Sequence, residues 1–392
     1  MKGWTPGSLS PGASAHLDWI RALAALAVMA GHLRALFFID YQHLRQPGWL
    51  LMSIYFLTGF GHQAVMVFFV LSGFLISSSI VRDHLSGKWS WHEYAINRSV
   101  RLYIVLIPGL VFGLIWDVAG SAIFASGGVY THALPSLGPD VVVANLRPEI
   151  LVCNALFLQT IACHTFGSNG PLWSLANEFW YYVLFPLMFA AGLAWRRNSK
   201  RVALSLVVLC LVLGWLLGLK ILVGFLIWMS GCVLVLAYSR FRFRRKTTFF
   251  AYTLASGFML LTCLLSARTS ASGLLGSDLA VGIAFALLLF PVLQIGAGGN
   301  ARFYARTAHR LAGFSYSLYV LHFPILLFLR AWAVPQQRWQ PDKRHLPLAL
   351  AIGGIALTYA WLVSLFTEGR THTARAWVRR LHLVPGYRTS DS

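Results

Sequence analysis

Acidic residues are scarce in this sequence: 12 Asp and Glu stand against 32 Lys and Arg in 392 residues, and charged residues of both signs reach only 11%. A water-soluble surface carries about twice that share of charge. No acidic metal-binding motif appears, which speaks against metal-assisted glycosyl transfer. The 5 cysteines and 13 histidines show no zinc spacing, so no metal site is expected. Nucleophile elbows, phosphate loops and dinucleotide fingerprints are also missing, and with them go the soluble-enzyme classes built on those motifs. The absence of an internal repeat argues against a transporter assembled from inverted halves.

What is present is apolar sequence: 57% hydrophobic residues and a mean hydropathy of +0.65. Runs near residues 17–38, 62–81, 101–119, 174–194, 202–218, 220–238, 249–266, 279–296, 312–333 and 346–367 are each long enough to cross a hydrocarbon layer of about 30 Å. They predict an all-α fold, a polytopic membrane bundle of about ten transmembrane helices. The net charge of +20 is distributed by loop. With the N-terminus inside, twenty-one Lys and Arg fall on inner segments and seven on outer ones, which satisfies the positive-inside rule with both termini cytoplasmic. Charge therefore reports topology and contact with anionic lipid, and no nucleic-acid module is needed to explain it. Residues 1–16 form a short cytoplasmic segment, 17–367 the membrane domain and 368–392 a basic cytoplasmic tail. The N-terminus lacks the form of a cleavable signal and is expected to stay in the mature protein.

Residues 120–172 make the longest stretch between spans. They contain Pro135, Pro139 and Pro148, which interrupt regular structure, and the apolar run 150–161, whose length suits an interfacial or re-entrant piece. Such a loop is a natural place for acceptor recognition. Cys153 and Cys163 share it and are able to pair in an oxidising compartment.

Ionisable groups at membrane depth mark the candidate chemistry. Arg21 and His32 lie eleven residues apart in the first span; at ~100° per residue the imidazole returns to within about 20° of the guanidinium, roughly 16 Å further along the axis. Asp18 is placed to pair with Arg21. A snorkelling anchor pair is the plain alternative for Asp18 and Arg21, and a helix-packing hydrogen bond the one for His32. Glu178, in PLWSLANEFWYYVLFPL, is expected at the depth of His32, where a carboxylate would orient the imidazole and steady its charged form; assembly pairing with an arginine is the alternative. Arg98 and Arg101, three residues apart at the start of the third span, present a fork for phosphate or else serve as inner anchors. A helix N-terminus at that point would add to anion binding. Ser72 and Gly73 sit where small residues let helices approach; Ser72, Asp18 and His322, which stands two residues before Pro324, are candidate pocket residues, with packing the alternative for Ser72 and His322.

Six segments in this order, LDWIRALAALAVMAGH, FFVLSGFLIS, RSVR, PLWSLANEFWYYVLFPL, SYSLYVLHFPIL and FTEGR, resemble the bacterial acyltransferase-3 membrane proteins, which O-acylate sugars of surface and secreted glycans. The resemblance spans nearly the whole chain. It implies a ten-helix enzyme of the bacterial inner membrane, with no permanently bound cofactor. Such an enzyme moves an acyl group, commonly acetyl, from cytoplasmic acyl-CoA to a hydroxyl of an external carbohydrate or glycolipid. It also implies that Arg21 and His32 are the essential first-helix pair, that Arg98 and Arg101 serve the donor, and that Glu178 belongs to the fourth-helix motif. Trp19 and Ala22 replace the glycines of the common LDGLRG version, and Asn177 replaces the first acid of a Glu-Glu pair. Combined with the geometry above, the expectation is that Arg98, Arg101 and Arg21 hold the donor phosphates. His32, oriented by Glu178, would then act as base on the acceptor or carry the acyl group itself. A transporter or channel, or a non-catalytic export partner, would use the same ionisable residues without acyl transfer.

Overall fold

A computed structural model of the chain describes residues 9–45, 47–132, 141–269, 274–296, 301–334 and 337–381. Pro135, Pro139 and Arg388 lie outside the described residues. Ser10 caps the first helix, α1 (Pro11–Phe37), by accepting from the Ala13 amide at 3.1 Å, with Pro11 in the first turn where a missing N–H costs nothing. A short α2 (Trp49–Leu57) passes through a tight turn into α3 (Gly61–Leu85). Ser90 caps α4 (Trp91–Ile123), α5 is Pro148–Ala155, and α6 runs Leu172–Arg196. Then come α7 (Lys200–Arg240), α8 (Lys246–Thr269), α9 (Leu274–Val292), α10 (Ala301–Ala312), α11 (Ser315–Ala333), α12 (His345–Phe366) and α13 (Thr371–Leu381).

Each of the ten apolar runs falls on a helix, and seven helical stretches are long and apolar enough to cross a membrane by length and composition. The runs 202–218 and 220–238 are two helical segments, as expected, within α7. They meet at Gly218, whose φ of 81° breaks the helical backbone within the 41 residues. Only a residue without Cβ adopts that conformation cheaply. Two basic amphipathic helices, α10 and α13, were not anticipated, because their charge hides them in a search for apolar runs. His16 and Trp19 of α1 rest on Tyr304 of α10, with His16 Nδ1 2.8 Å from the phenol oxygen. Arg379 of α13 donates to Glu93 of α4 at 2.6 Å. Arg82 and Lys88 at the end of α3, Arg196 and Arg197 at the end of α6, and Arg242, Arg244 and Arg245 after α7 mark one end of the bundle, called here the basic end.

Glycine contacts set the closest helix approach. A Cβ on Gly73 of α3 would lie 1.9 Å from the carbonyl oxygen of Trp228 in α7, and one on Gly231 would lie 2.1 Å from that of Val70. The backbones of α3 and α7 touch there because neither glycine has a side chain. Ser72 points elsewhere, into a cavity. The segment FFVLSGFLIS thus serves packing and site with neighbouring residues.

The stretch between α4 and α6 folds inward. Phe157, Gln159, Phe166 and Asn169 are buried. Asn154 holds the stretch, its amide donating to the carbonyls of Ile150 and His164 at 2.9 Å each while its oxygen accepts from the Phe166 amide at 3.0 Å. Asn169 reaches the carbonyl of Val320 in α11 at 3.0 Å, and the buried Asp117 carboxylate accepts from the Ser168 amide at 2.7 Å. Cys153 and Cys163 are joined by a disulfide across this fold. Because the loop enters the bundle, the first turn of α6 is itself buried, with Leu172, Ser174 and Leu175 in the interior.

Candidate active site

Arg21 of α1, Ser72 of α3, Arg98 and Arg101 of α4, Glu178 and Tyr182 of α6, and Tyr316 and Tyr319 of α11 line one cavity of about 190 Å³. Five residues singled out in the sequence therefore converge from four helices. Glu178 accepts from three hydroxyls: Ser72 at 2.8 Å and Tyr182 on one oxygen, and Tyr316 at 2.7 Å on the other. Trp228 in turn donates to Ser72 Oγ at 3.1 Å, which fixes the hydroxyl's proton toward Glu178. Neither Arg98 nor Arg101 has a hydrogen-bond partner among the described residues. Their guanidinium carbons instead stand over aromatic rings, Arg98 at 5.9 Å from the centre of Tyr182 and Arg101 at 5.4 Å from that of Tyr316. Cation–π contact leaves the N–H groups of the fork free. With three arginines against one carboxylate in the lining, the cavity has the charge and the open donors to hold an anion, and the donors of Arg98 and Arg101 lack partners among the described residues. Arg21 is the exception, since Asp18 accepts from it at 3.3 Å; Asp18 lies outside the cavity lining and also pairs with His309 at 3.5 Å.

Two expectations about this cavity need correction. Arg98 and Arg101 do not stand at a helix N-terminus, because α4 starts at Trp91 with Ser90 as cap; anion binding there comes from the side chains alone. Glu178 is not beside His32. The inward loop sinks the start of α6, so the carboxylate reaches the level of Ser72 and Arg101, where its oxygens are taken by hydroxyls.

His32 lines a second cavity of about 280 Å³, with His62, His132, Trp173 and Phe323 among its walls. Its partner is His322: His32 Nδ1 lies 2.8 Å from His322 Nε2, and His322 Nδ1 lies 2.9 Å from the carbonyl oxygen of Leu318. A carbonyl oxygen only accepts, so His322 carries its proton on Nδ1 and offers the lone pair of Nε2. His32 must then donate from Nδ1. Its own Nε2 is left with a lone pair, the form required of a base or a nucleophile. Phe323 meets the His32 ring edge-on at 5.0 Å and holds it in plane with its partner.

The two cavities share Val65 and Tyr319 as walls. Tyr319 is pinned by hydrogen bonds between its hydroxyl and Ser174 Oγ at 2.7 Å and the Pro171 carbonyl at 3.3 Å, and Phe68 packs against its ring at 5.7 Å. The arginine cavity and the histidine cavity are thus one side chain apart. The sequence reading gave no site role to Tyr182, Tyr316 and Tyr319. A signal existed in their spacing: Tyr182 is four residues after Glu178, and Tyr316, Tyr319 and His322 recur at three-residue intervals on α11, which puts them on one helical face. It missed His62 and Asp278 as well, which meet at 2.8 Å from distant helices.

The sequence matches the Acyltransferase domain family, acyltransferase-3, over residues 14–367. It is 34% identical over 176 residues to "Acyltransferase MdmB" of Streptomyces mycarofaciens, covering 44% of this chain and 38% of that one. It is 24% identical over 200 residues to "Nodulation protein 10" of Rhizobium leguminosarum bv. viciae, covering 49% of each chain. The chain therefore spans half or less of the length of these two relatives. No solved structure matches. A family match over nine-tenths of the chain, together with its apolar helices, identifies this multi-pass membrane protein as a member of the acyltransferase-3 family.

Proposed function

We propose that this protein is an O-acyltransferase of the bacterial inner membrane. It would take an acyl group, acetyl in the simplest case, from cytoplasmic acyl-CoA and pass it to a hydroxyl of a carbohydrate or glycolipid on the other side. The observation that carries this reading is the pair of cavities in series, one lined by unpartnered guanidinium groups and one by a histidine with a free lone pair, parted only by Val65 and Tyr319. Arg98 and Arg101, with Arg21, draw the diphosphate of the donor from the basic end, taken as cytoplasmic by the positive-inside rule. The uncharged pantetheine arm continues past Tyr319 and delivers the thioester to His32 Nε2. Glu178 leaves the chemistry to His32 and instead holds Tyr182 and Tyr316 under the two arginines. The acceptor enters the histidine cavity from the opposite end, beside the loop that precedes α6. In the net reaction the C–S bond breaks, a C–O bond forms, the hydroxyl loses its proton and CoA departs as the thiol.

Purified protein in liposomes, supplied with acyl-CoA labelled in the acyl group and a carbohydrate acceptor, tests the reading. Labelled ester is the expected product, abolished by His32→Ala in protein that still melts cooperatively. Undiminished product from His32→Ala would overturn it, and solute flux without ester formation would turn the assignment to a transporter.

A further inference from the structure

We propose that His62 and Asp278 form a second dyad in the histidine cavity, the general base that deprotonates the acceptor hydroxyl, leaving His32 to carry the acyl group. The proposal rests on the acyltransferase reading above and deepens it.

Asp278 is the only charged residue of α9, and it is buried. Its Oδ2 lies 2.8 Å from His62 Nε2, while Oδ1 is buried without a partner among the described residues. A lone acid on an apolar helix, pointed at one imidazole, is costly unless that imidazole repays it. The carboxylate fixes the proton of His62 on Nε2, so Nδ1 keeps its lone pair, and Nδ1 has no hydrogen-bond partner among the described residues. The His62 side chain keeps 37% of its surface open, and the ring is held against Trp173, with centroids 5.9 Å apart at 23°. His62 and Trp173 line both the histidine cavity and a neighbouring one bordered by Asp278. A hydroxyl-bearing ring stacked on Trp173 would present its edge to His62.

The backing groups of the two histidines divide the work. His32 is backed by His322 and then the neutral carbonyl of Leu318, which steadies a lone pair for attack on carbon but adds no negative charge. His62 is backed by a carboxylate, which favours the imidazolium formed on taking a proton. In the first step His32 Nε2 bonds to the thioester carbon, the C–S bond breaks and CoA leaves as the thiolate. The acyl-imidazolium keeps its Nδ1 proton bonded to His322. In the second step the acceptor O–H proton passes to His62 Nδ1 as the oxygen bonds to the acyl carbon. The C–N bond breaks with its electron pair returning to a neutral His32. His62 then releases its proton to water, and the thiolate takes one up.

The test uses the full chain in liposomes with labelled acyl-CoA and two probe acceptors, ethanol and the more acidic 2,2,2-trifluoroethanol. General-base catalysis contributes about 10²- to 10⁴-fold and matters most for the less acidic alcohol. His62→Gln is therefore expected to lower transfer to ethanol by about 100-fold or more, and transfer to trifluoroethanol by much less, with acyl-CoA binding unchanged. Asp278→Asn should follow the same pattern and Asp278→Glu should restore part of it; this pair carries the test alone if His62→Gln does not fold. Equal losses for both alcohols would overturn the proposal in favour of a clamp between α3 and α9, and an unchanged ethanol rate would overturn it outright. A wild-type protein that binds acyl-CoA but transfers to neither alcohol nor to the carbohydrate acceptor would refute the acyltransferase reading itself, and the dyad with it.

Discussion

Replacing His322 by Leu isolates the contribution of the histidine pair. The variant keeps an apolar side chain of similar bulk at a fully buried position but removes the acceptor that lies 2.8 Å from His32 Nδ1. Two costs follow. The Nδ1–H of His32 loses its partner against the fully buried position 322, a penalty of about 1–3 kcal/mol, and the proton is free to move to Nε2, which takes the lone pair away from the substrate. When the ring becomes positive during transfer, it also lacks a hydrogen bond of the charged kind, worth roughly 1.5–3 kcal/mol. At about 1.4 kcal/mol per factor of ten, the second term alone lowers kcat some 10- to 100-fold. KM for acyl-CoA should stay near the wild-type value, because no wall of the arginine cavity is altered. His322→Gln supplies an amide oxygen to the same N–H and should recover most of the loss. The assay is ester formation from labelled acyl-CoA at saturating donor, with thermal melting in detergent as the check on folding. A His322→Leu enzyme whose kcat lies within about twofold of wild type would refute the argument that His322 sets the tautomer of His32.

Three other outcomes are expected. Arg101→Gln should raise KM for acyl-CoA by about 10- to 100-fold with kcat little changed, since a charge-assisted bond to phosphate is worth roughly 1.5–3 kcal/mol; Arg101→Lys should restore the charge but not the fork, and steady-state kinetics separate the two. Gly73→Ala drives a methyl group to within 1.9 Å of the Trp228 carbonyl oxygen, so α3 and α7 must part, at about 1–3 kcal/mol; a melting temperature equal to wild type would contradict this packing. Val65→Trp fills the partition between the cavities and should abolish ester formation while acyl-CoA binding, followed by calorimetry, persists; loss of binding instead would mean that the donor is not held at the arginines.

The bundle was legible because lipid demands long apolar helices, and nothing else in the chain produces runs of that length. The division of α7 at Gly218 was legible too, because the two apolar runs 202–218 and 220–238 together are too long for one crossing and meet at a glycine. Helices α10 and α13 escaped because an amphipathic surface helix has the composition of a charged loop. Within the site, Arg21, Arg98, Arg101, His32 and His322 were identifiable as ionisable groups at membrane depth, yet the partner of Glu178 was mistaken because its depth was inferred from the number of residues to a helix end. Glu178 shows the reason. Its distance from the surface depends on where α6 begins, and that is set by the Asn154, Asn169 and Asp117 contacts of a loop whose inward path has no periodic signature. His62 and Asp278 lie 216 positions apart, and a contact of that range is written in helix packing, not in local sequence.

The scarcity of acids gains a physical meaning once they are placed. Each carboxylate buried in an apolar bundle is expensive and draws every available donor, so its number of donors limits what else it can do. Glu178 is saturated by three hydroxyls, which stops it from forming a tight ion pair with Arg98 or Arg101 and leaves both guanidiniums open to an incoming anion. A Glu178 bonded directly to those arginines would have neutralised the cavity and competed with the donor phosphates. Asp117 spends its carboxylate on the Ser168 amide of the inward loop, and Asp18 is committed to Arg21 and His309. Asp278 differs in the kind of donor: one oxygen meets a single imidazole, and the other meets nothing among the described residues. By donor count it matches Asp117, whose Oδ1 also lacks a partner among the described residues, but its one donor is an imidazole at a cavity wall and not a backbone amide. Its negative charge therefore falls chiefly on His62, at the cavity wall where a proton has to be removed.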